Sequence, residues 1–337
     1  RIVPEKPDNF KNGFFVVCEG TYGFGNASVS YYDNEKKQIF NDVYKSVNGN
    51  DLGDQLQSMA IFNGFGYLVI QNSQKIEVVD IANFKSIATI ESSSLSSPRY
   101  FVAINAKKAY ISDWNADALV IIDLRTNQVA GSIAVGSDPD QMVLTNGYLF
   151  VANSGYASTN NNDNRISVID TATDKLIQHI NVGDRPLSMA VDQSGKLWVA
   201  CAGFKKYNNQ GEFSAESTAG SLYQINPSNF KVEKNFTFPN YDDNPKNLAI
   251  NPVSGDVFYT NKGKVYKQTT EGETLEKTLV IDRNFSGLAF ENKNNFGIIG
   301  CESPNYTSSG KIIFYNNKFL AFDSATVGIG PNAIISK

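Results

Sequence analysis

The sequence predicts an all-β fold: a seven-bladed β-propeller with four-stranded antiparallel blades. Three observations predict it. A unit of about 40 residues recurs along the chain. The two ends of the sequence each carry part of that unit. Strand-forming Tyr, Phe and frequent Gly are abundant, while long apolar-periodic helical segments are missing.

The unit is clearest from Val129 to Asn153, VAGSIAVGSDPDQMVLTNGYLFVAN, and returns from Leu176 to Cys201 as LIQHINVGDRPLSMAVDQSGKLWVAC. Each copy reads as an outer strand, a VG-x-x-P turn, an inner strand, a Gly-containing turn and a second strand. RISVID, between the copies, supplies the third strand and ends in the turn TATDK. Inner strands start at Leu56, Arg99, Asp140, Leu187, Lys246 and Phe285, with spacings of 43, 41, 47, 59 and 39 residues. Those are propeller-blade periods.

The ends complete the count. VGIGPNAIISK, Val327 to Lys337, matches VGSDPDQMVL up to the inner strand. NGFFVVCEG, Asn12 to Gly20, matches NGYLFVANS. The last strand is therefore expected to complete the first blade, removing an open sheet edge. Residues 12–337 form one propeller domain in this reading. Residues 1–11, RIVPEKPDNFK, read as a trimmed Pro-containing tail after an anchor outside this sequence.

Third strands end at Asp33, Asp80, Asp123, Asp170 and Asn226. An Asp or Asn opening a tight turn accepts backbone N–H bonds. Recurrence in blade after blade marks these as turn residues, since catalysis needs only one or two carboxylates.

Net charge is -4 and no basic stripe exists, which argues against nucleic acid as partner. No apolar run approaches the roughly 20 residues that span a bilayer. Three cysteines, Cys18, Cys201 and Cys301, give no disulfide framework and read as small buried side chains. The one histidine, His179, lies in an outer strand, so the loops hold no imidazole for acid–base or metal chemistry.

The pattern VIDTAT…INVGDRP, with YTN at Tyr259 to Asn261 and VAN at Val151 to Asn153, resembles the YVTN-type seven-bladed propellers. These include surface-layer-like proteins and relatives of lactonases. The short Pro-containing tail, FFVVCEGTYG in the first blade and Asn/Tyr-rich insertions resemble, more narrowly, the BtuG-like vitamin B12-capture lipoproteins. That resemblance implies a non-enzymatic, lipid-anchored monomer on the outer membrane. It would bind cobamides and hand them to a TonB-dependent outer-membrane transporter. Cobalamin would be the transported ligand, with no cofactor and no bound metal.

The site expectations come from loop geometry. Insertions follow second strands in blade one (Cys18 to Ser28), four (Asn153 to Arg165), five (Cys201 to Gly220) and seven (Cys301 to Gly310). Long loops on one face of a regular scaffold indicate binding. They carry Tyr22, Phe24, Asn153, Tyr156, Phe204, Tyr207, Phe213 and Tyr306, joined by Trp114 and Asn115 from SDWNAD. Aromatic area beside amides and hydroxyls suits a large, mostly neutral, amide-bearing ligand, a corrinoid or a glycan. Turns leading into the inner strands add Gln57, Arg99, Tyr100, Asp138, Asp140, Arg185, Lys246 and Asn332, with Arg99 or Arg185 as a phosphate contact. Two alternatives stay open: a lactonase- or lyase-like enzyme using Asp138, Asp140 and Asn332 around an axial metal, and a surface adhesion or docking module.

Overall fold

The computed structural model describes residues 6–155, 162–291 and 297–336. Among them are seven four-stranded antiparallel sheets, the blades of an all-β propeller. The first blade orders Pro331–Ser336, Gly13–Cys18, Ser28–Asp33 and Gln38–Phe40. The second has Leu56–Phe62, Phe65–Ile70, Lys75–Asp80 and Ser86–Glu91, the third Pro98–Asn105, Lys108–Asp113, Ala118–Asp123 and Gln128–Ala134. The fourth has Pro139–Thr145, Tyr148–Asn153, Arg165–Asp170 and Lys175–Asn181, the fifth Pro186–Val191, Leu197–Cys201, Ser221–Asn226 and Lys231–Thr237. The sixth has Lys246–Ile250, Val257–Asn261, Lys264–Gln268 and Thr278–Ile281, the seventh Gly287–Phe290, Ile298–Glu302, Ser309–Tyr315 and Ala321–Ile329. The predicted closure is present: the C-terminal strand pairs Phe15 with Ile335 and Val16 with Ile334.

The chain divides into two compact units. One comprises residues 1–111, 120–131 and 285–337, and the other 112–119 and 132–284. Blades one, two and seven belong to the first unit, blades four to six to the second.

Local chemistry builds each blade. Asn63–Gly64, Asn146–Gly147 and Lys262–Gly263 all have φ between 49° and 81°, the paired left-handed residues of a tight hairpin whose twist matches its strands. The carboxylates that end third strands act as turn acceptors. Asp33 Oδ1 accepts the Glu35 and Lys36 amides at 2.9 and 3.0 Å, and Asp170 Oδ1 accepts Ala172 N at 2.8 Å. The lead-in to inner strands has its own signature. Gln55, Asp138, Arg185 and Gly330 are all left-handed, and pairing slips by a bulge just after them. A bulge re-aims side chains, here at Gln57, Asp140 and Asn332.

In the first unit, Phe15, Val17 and Tyr31 pack on Leu56, Leu68 and Ile70 of the next blade. Phe10 belongs to this core. It is 2% exposed and meets Phe15, Tyr31 and Phe84 at 4.9–5.8 Å between centroids. The tail expected over residues 1–11 therefore ends before Phe10, because burying an aromatic ring outweighs the local absence of strand pattern. The short helix Val43–Asn48, which no sequence pattern announced, tucks Val43 and Tyr44 into the same cluster. In the second unit, Trp198, Leu222, Phe236, Val257 and Tyr259 form one core cluster.

All three cysteines are free and fully buried. Burial pushes the Cys18 and Cys201 thiols up to about 12, and raises Cys301 as well. Such a thiol stays protonated at pH 8 and is a poor nucleophile. The folded protein is expected to leave a thiol-reactive chromophore essentially unmodified at pH 8, with all three thiols titrating in denaturant. Rapid labelling of the native protein would contradict this.

Candidate functional site

The first unit carries a polar network at its lead-in turns and exposed aromatic rings on the loops of blades one and seven. The network is set by the lead-in turns, because inner-strand starts sit beside second-strand ends: Leu56 pairs with Ile70 and Pro331 with Cys18. Arg99 Nη1 donates to Gln57 Oε1 at 2.5 Å and Gln71 Oε1 at 2.7 Å. Gln71 Nε2 donates in turn to Ser97 Oγ at 2.9 Å, and Ser58 Oγ to the Arg99 carbonyl at 2.7 Å. Asn332 Nδ2 donates to Glu19 Oε1 at 2.8 Å and to the Gln57 carbonyl at 3.2 Å. Its Oδ1 is buried and meets no donor among the described residues. A buried amide oxygen left unmatched costs about 1–3 kcal/mol.

Exposed aromatics lie on the adjoining loops. Tyr306 is 52% exposed, and its ring lies against Gly330, two residues before Asn332 and beside Glu19. Thr21 Oγ1 donates to the Tyr306 carbonyl, tying the first-blade loop to the seventh-blade loop. Tyr22 and Phe24 in that loop are 69% and 75% exposed. The loop itself is ordered: Asp54 accepts Gly23 N at 2.8 Å, and Asn26 Oδ1 accepts Thr21 N at 2.7 Å. Tyr100 is half-buried next to Arg99.

Gly330 is required here twice over. Its φ is +63°, and an added Cβ would lie 3.0 Å from the Tyr306 ring. Gly330→Ala is expected to cost about 1–2 kcal/mol from the left-handed backbone alone and to displace Tyr306. A thermal melt against Tyr306→Ala checks it; an unchanged midpoint would contradict the account.

The second unit holds the other expected residues. Arg185, at φ 55°, lays its guanidinium 5.0 Å over the Phe204 ring. Phe204 is buried and held by bonds with Thr218, whose hydroxyl donates to Asp184 at 2.6 Å. Asp138 and Asp140 are both buried, and Asp138 N is capped by Asp117 at 2.8 Å. Trp114 is half-buried, Asn115 exposed, and Lys246 half-buried at the start of its strand. Tyr156 lies outside the described residues.

Asn153 is not presented to a ligand. It is fully buried: its Oδ1 accepts Gly136 N at 3.0 Å, and both amide hydrogens go to Arg165 O and Ser167 Oγ at 2.9 Å. The equivalent Asn261 accepts Asn244 N and donates to Asp243. This amide staples the turn leading into its own blade.

Glu19, Gln71 and Ser97 were missed by sequence reasoning, although all three belong to the Asn332–Arg99 network. So was Tyr241, which meets Phe213 edge-on at 5.8 Å. His179 sits in its outer strand with Nδ1 3.1 Å from Ser167 Oγ, and burial lowers its pKa. Among the described residues, no group of three or more His, Cys, Asp or Glu side chains is arranged to hold a metal.

Comparison with known proteins agrees with this architecture. A family described as "Domain of unknown function (DUF5074)" matches residues 12–286. Among solved structures, a Bacteroides fragilis protein with a provisional assignment as 6-phosphogluconolactonase is similar at 11% identity and a TM-score of 0.67. The match covers 97% of this chain and 99% of that one. Hydrazine synthase of Kuenenia stuttgartiensis is similar at 14% identity and a TM-score of 0.63, over 87% of this chain and 90% of that chain. At such identity these likenesses concern the fold alone.

Proposed function

The chain belongs to the DUF5074 family of domains of unknown function, and for this member we propose the capture of cobamides without chemical change. The site is the rim of blades seven, one and two together with Arg99 at the start of the third blade. The observation that carries the reading is the buried Asn332 Oδ1 beside the exposed Tyr306 ring. A corrinoid is a flat macrocycle edged with primary amides. One such amide N–H supplies the donor that Asn332 needs, while Tyr306, Tyr22 and Phe24 offer ring faces to the macrocycle. Arg99, already oriented by Gln57 and Gln71, brings a fixed positive charge for the phosphate of the nucleotide loop. The only imidazole of the chain is in an outer strand, so the cobalt receives no histidine from these loops.

Nanomolar capture needs about 12 kcal/mol, which several contacts on a preformed surface must share. The further parts of the reading are delivery to a TonB-dependent transporter and display on the outer membrane through a lipid anchor outside this sequence. They rest on the resemblance of the sequence to BtuG-like proteins. The lactonase-like and adhesion readings gain no observation of their own.

Calorimetric titration of cyanocobalamin tests the site. Tyr306→Ala and Asn332→Ala are each expected to weaken binding about tenfold, corresponding to roughly 1.4 kcal/mol. Wild-type affinity in both variants would remove this rim from the account.

A further inference from the structure

The 20-residue insertion of the fifth blade, Cys201 to Gly220, is built far more firmly than loop closure requires. Phe204 and Thr218 exchange bonds at its base, Ser214 N donates to Lys206 O, and Ser217 Oγ bridges both backbone groups of Lys206. Its tip is a small hairpin: Tyr207 pairs with Phe213, and Asn208 Oδ1 accepts the amides of Gln210 and Glu212 at 3.0 and 2.9 Å. What this framework holds up is aromatic and exposed. Tyr207 stacks on Phe213 with centroids 5.1 Å apart and planes 27° apart, and Tyr241 stands nearly perpendicular at 5.8 Å. Tyr207 is 57% and Tyr241 43% exposed. Rings that merely cemented the loop would be turned inward.

The surrounding groups are of both signs and already balanced. Lys205 Nζ donates to the Asp242 carbonyl at 3.1 Å, Lys206 pairs with Glu216 at 2.7 Å, and Lys262 with Asp242 at 2.6 Å and Asp243 at 3.6 Å, three ammonium groups against three carboxylates. Such a balance offers no net attraction to an anion. It does offer fixed donors and acceptors around a right-angled aromatic corner. Ring faces are electron-rich and attract the weakly positive C–H face of a saturated ring, while carboxylates and ammonium groups hydrogen-bond its hydroxyls. A hexopyranose has both features.

We propose that the corner formed by Tyr207, Phe213 and Tyr241 is a binding site for a neutral pyranose oligosaccharide, built from residues other than those assigned to the cobamide. Tyr207, first expected to contact the cobamide, is thereby assigned to this second ligand. The inference uses only residues of the second unit and does not rest on the cobamide reading.

The test is calorimetric titration with neutral gluco-, manno- and galacto-oligosaccharides of about six units, and with a sulfated heparin hexasaccharide. At least one neutral sugar is expected to bind, with affinity in the range from about 10 µM to about 1 mM. Tyr207→Ala and Tyr241→Ala are each expected to weaken it tenfold or more while leaving cyanocobalamin titration unchanged. Both side chains are exposed, and unchanged melting of the variants verifies their folding. The proposal is overturned if every neutral sugar stays silent, if only the sulfated one binds, or if neither substitution alters the affinity.

Discussion

Deleting Pro331–Ser336 is expected to abolish cooperative folding. That segment is the inner strand of the first blade and pairs with Gly13–Cys18 alone in its sheet. Its loss removes a five-pair ladder from Phe14 to Cys18. It also removes Ala333 and Ile335 from the core shared with blade two, and Ile334 from the cluster around Phe14 and Phe314. At about 1 kcal/mol net per backbone bond and about 1.5–3 kcal/mol per large apolar side chain, the loss is on the order of 10 kcal/mol. A domain holds only about 5–15 kcal/mol in total. The exposed edge of Gly13–Cys18 then becomes a template for aggregation. Circular dichroism during heating should show no sharp transition, and the milder Ile335→Asp should melt early. A deletion variant melting like the intact protein would contradict the closure account.

Trp198→Ala is expected to have the largest effect of any single substitution in the second unit, about 3–5 kcal/mol. Trp198 is fully buried, stacked at 6.2 Å on Phe236 and packed with Tyr259 across into the sixth blade. Its Nε1 also donates to Asp192 Oδ2 at 2.8 Å. Asp192 Oδ1 meanwhile accepts from Ser194 N, Ser194 Oγ and Lys196 N, organising the hairpin that leads into Trp198. Trp198→Phe keeps most of the apolar volume but strips one partner from a buried carboxylate, an intermediate loss of about 1–3 kcal/mol. Denaturant unfolding of the two variants should rank them in that order. Equal stability of Trp198→Ala and wild type would refute the packing argument.

The blades were legible because each imposes the same demands on its residues. Asn–Gly where a hairpin needs two left-handed positions, an Asp where a turn needs an acceptor, and a Pro after the lead-in turn all recur and can be counted. Asn153 shows the cost of not applying that rule evenly. VAN and YTN place the same amide in two blades, and that recurrence already marked it as scaffold. Phe10 was hidden because a single aromatic in a charged segment carries no period. Its value to the fold arises only when Tyr31 and Phe84 arrive from distant sequence.

Parts of the network could not be read at all. Glu19 and Gln71 lie at strand ends with no motif; Glu19 meets Asn332 where a bulge re-aims that side chain, and Gln71 meets Arg99 from the neighbouring blade. Tyr241 follows a strand end two blades into the second half and acquires meaning only through Phe213. Loop aromatics such as Tyr22, Phe24 and Tyr306 were visible as composition. What the sequence pattern did not show is that closure ties the loop of Tyr22 and Phe24 to the loop of Tyr306.

The most direct measurement is gel filtration of the protein after incubation with cyanocobalamin, followed at a corrin absorption band. A one-to-one complex is expected to stay coloured through the column at micromolar protein, and Tyr306→Ala combined with Asn332→Ala to release the colour. Colour eluting wholly as free cyanocobalamin from the wild-type protein, with no heat in the matching titration, would contradict cobamide capture.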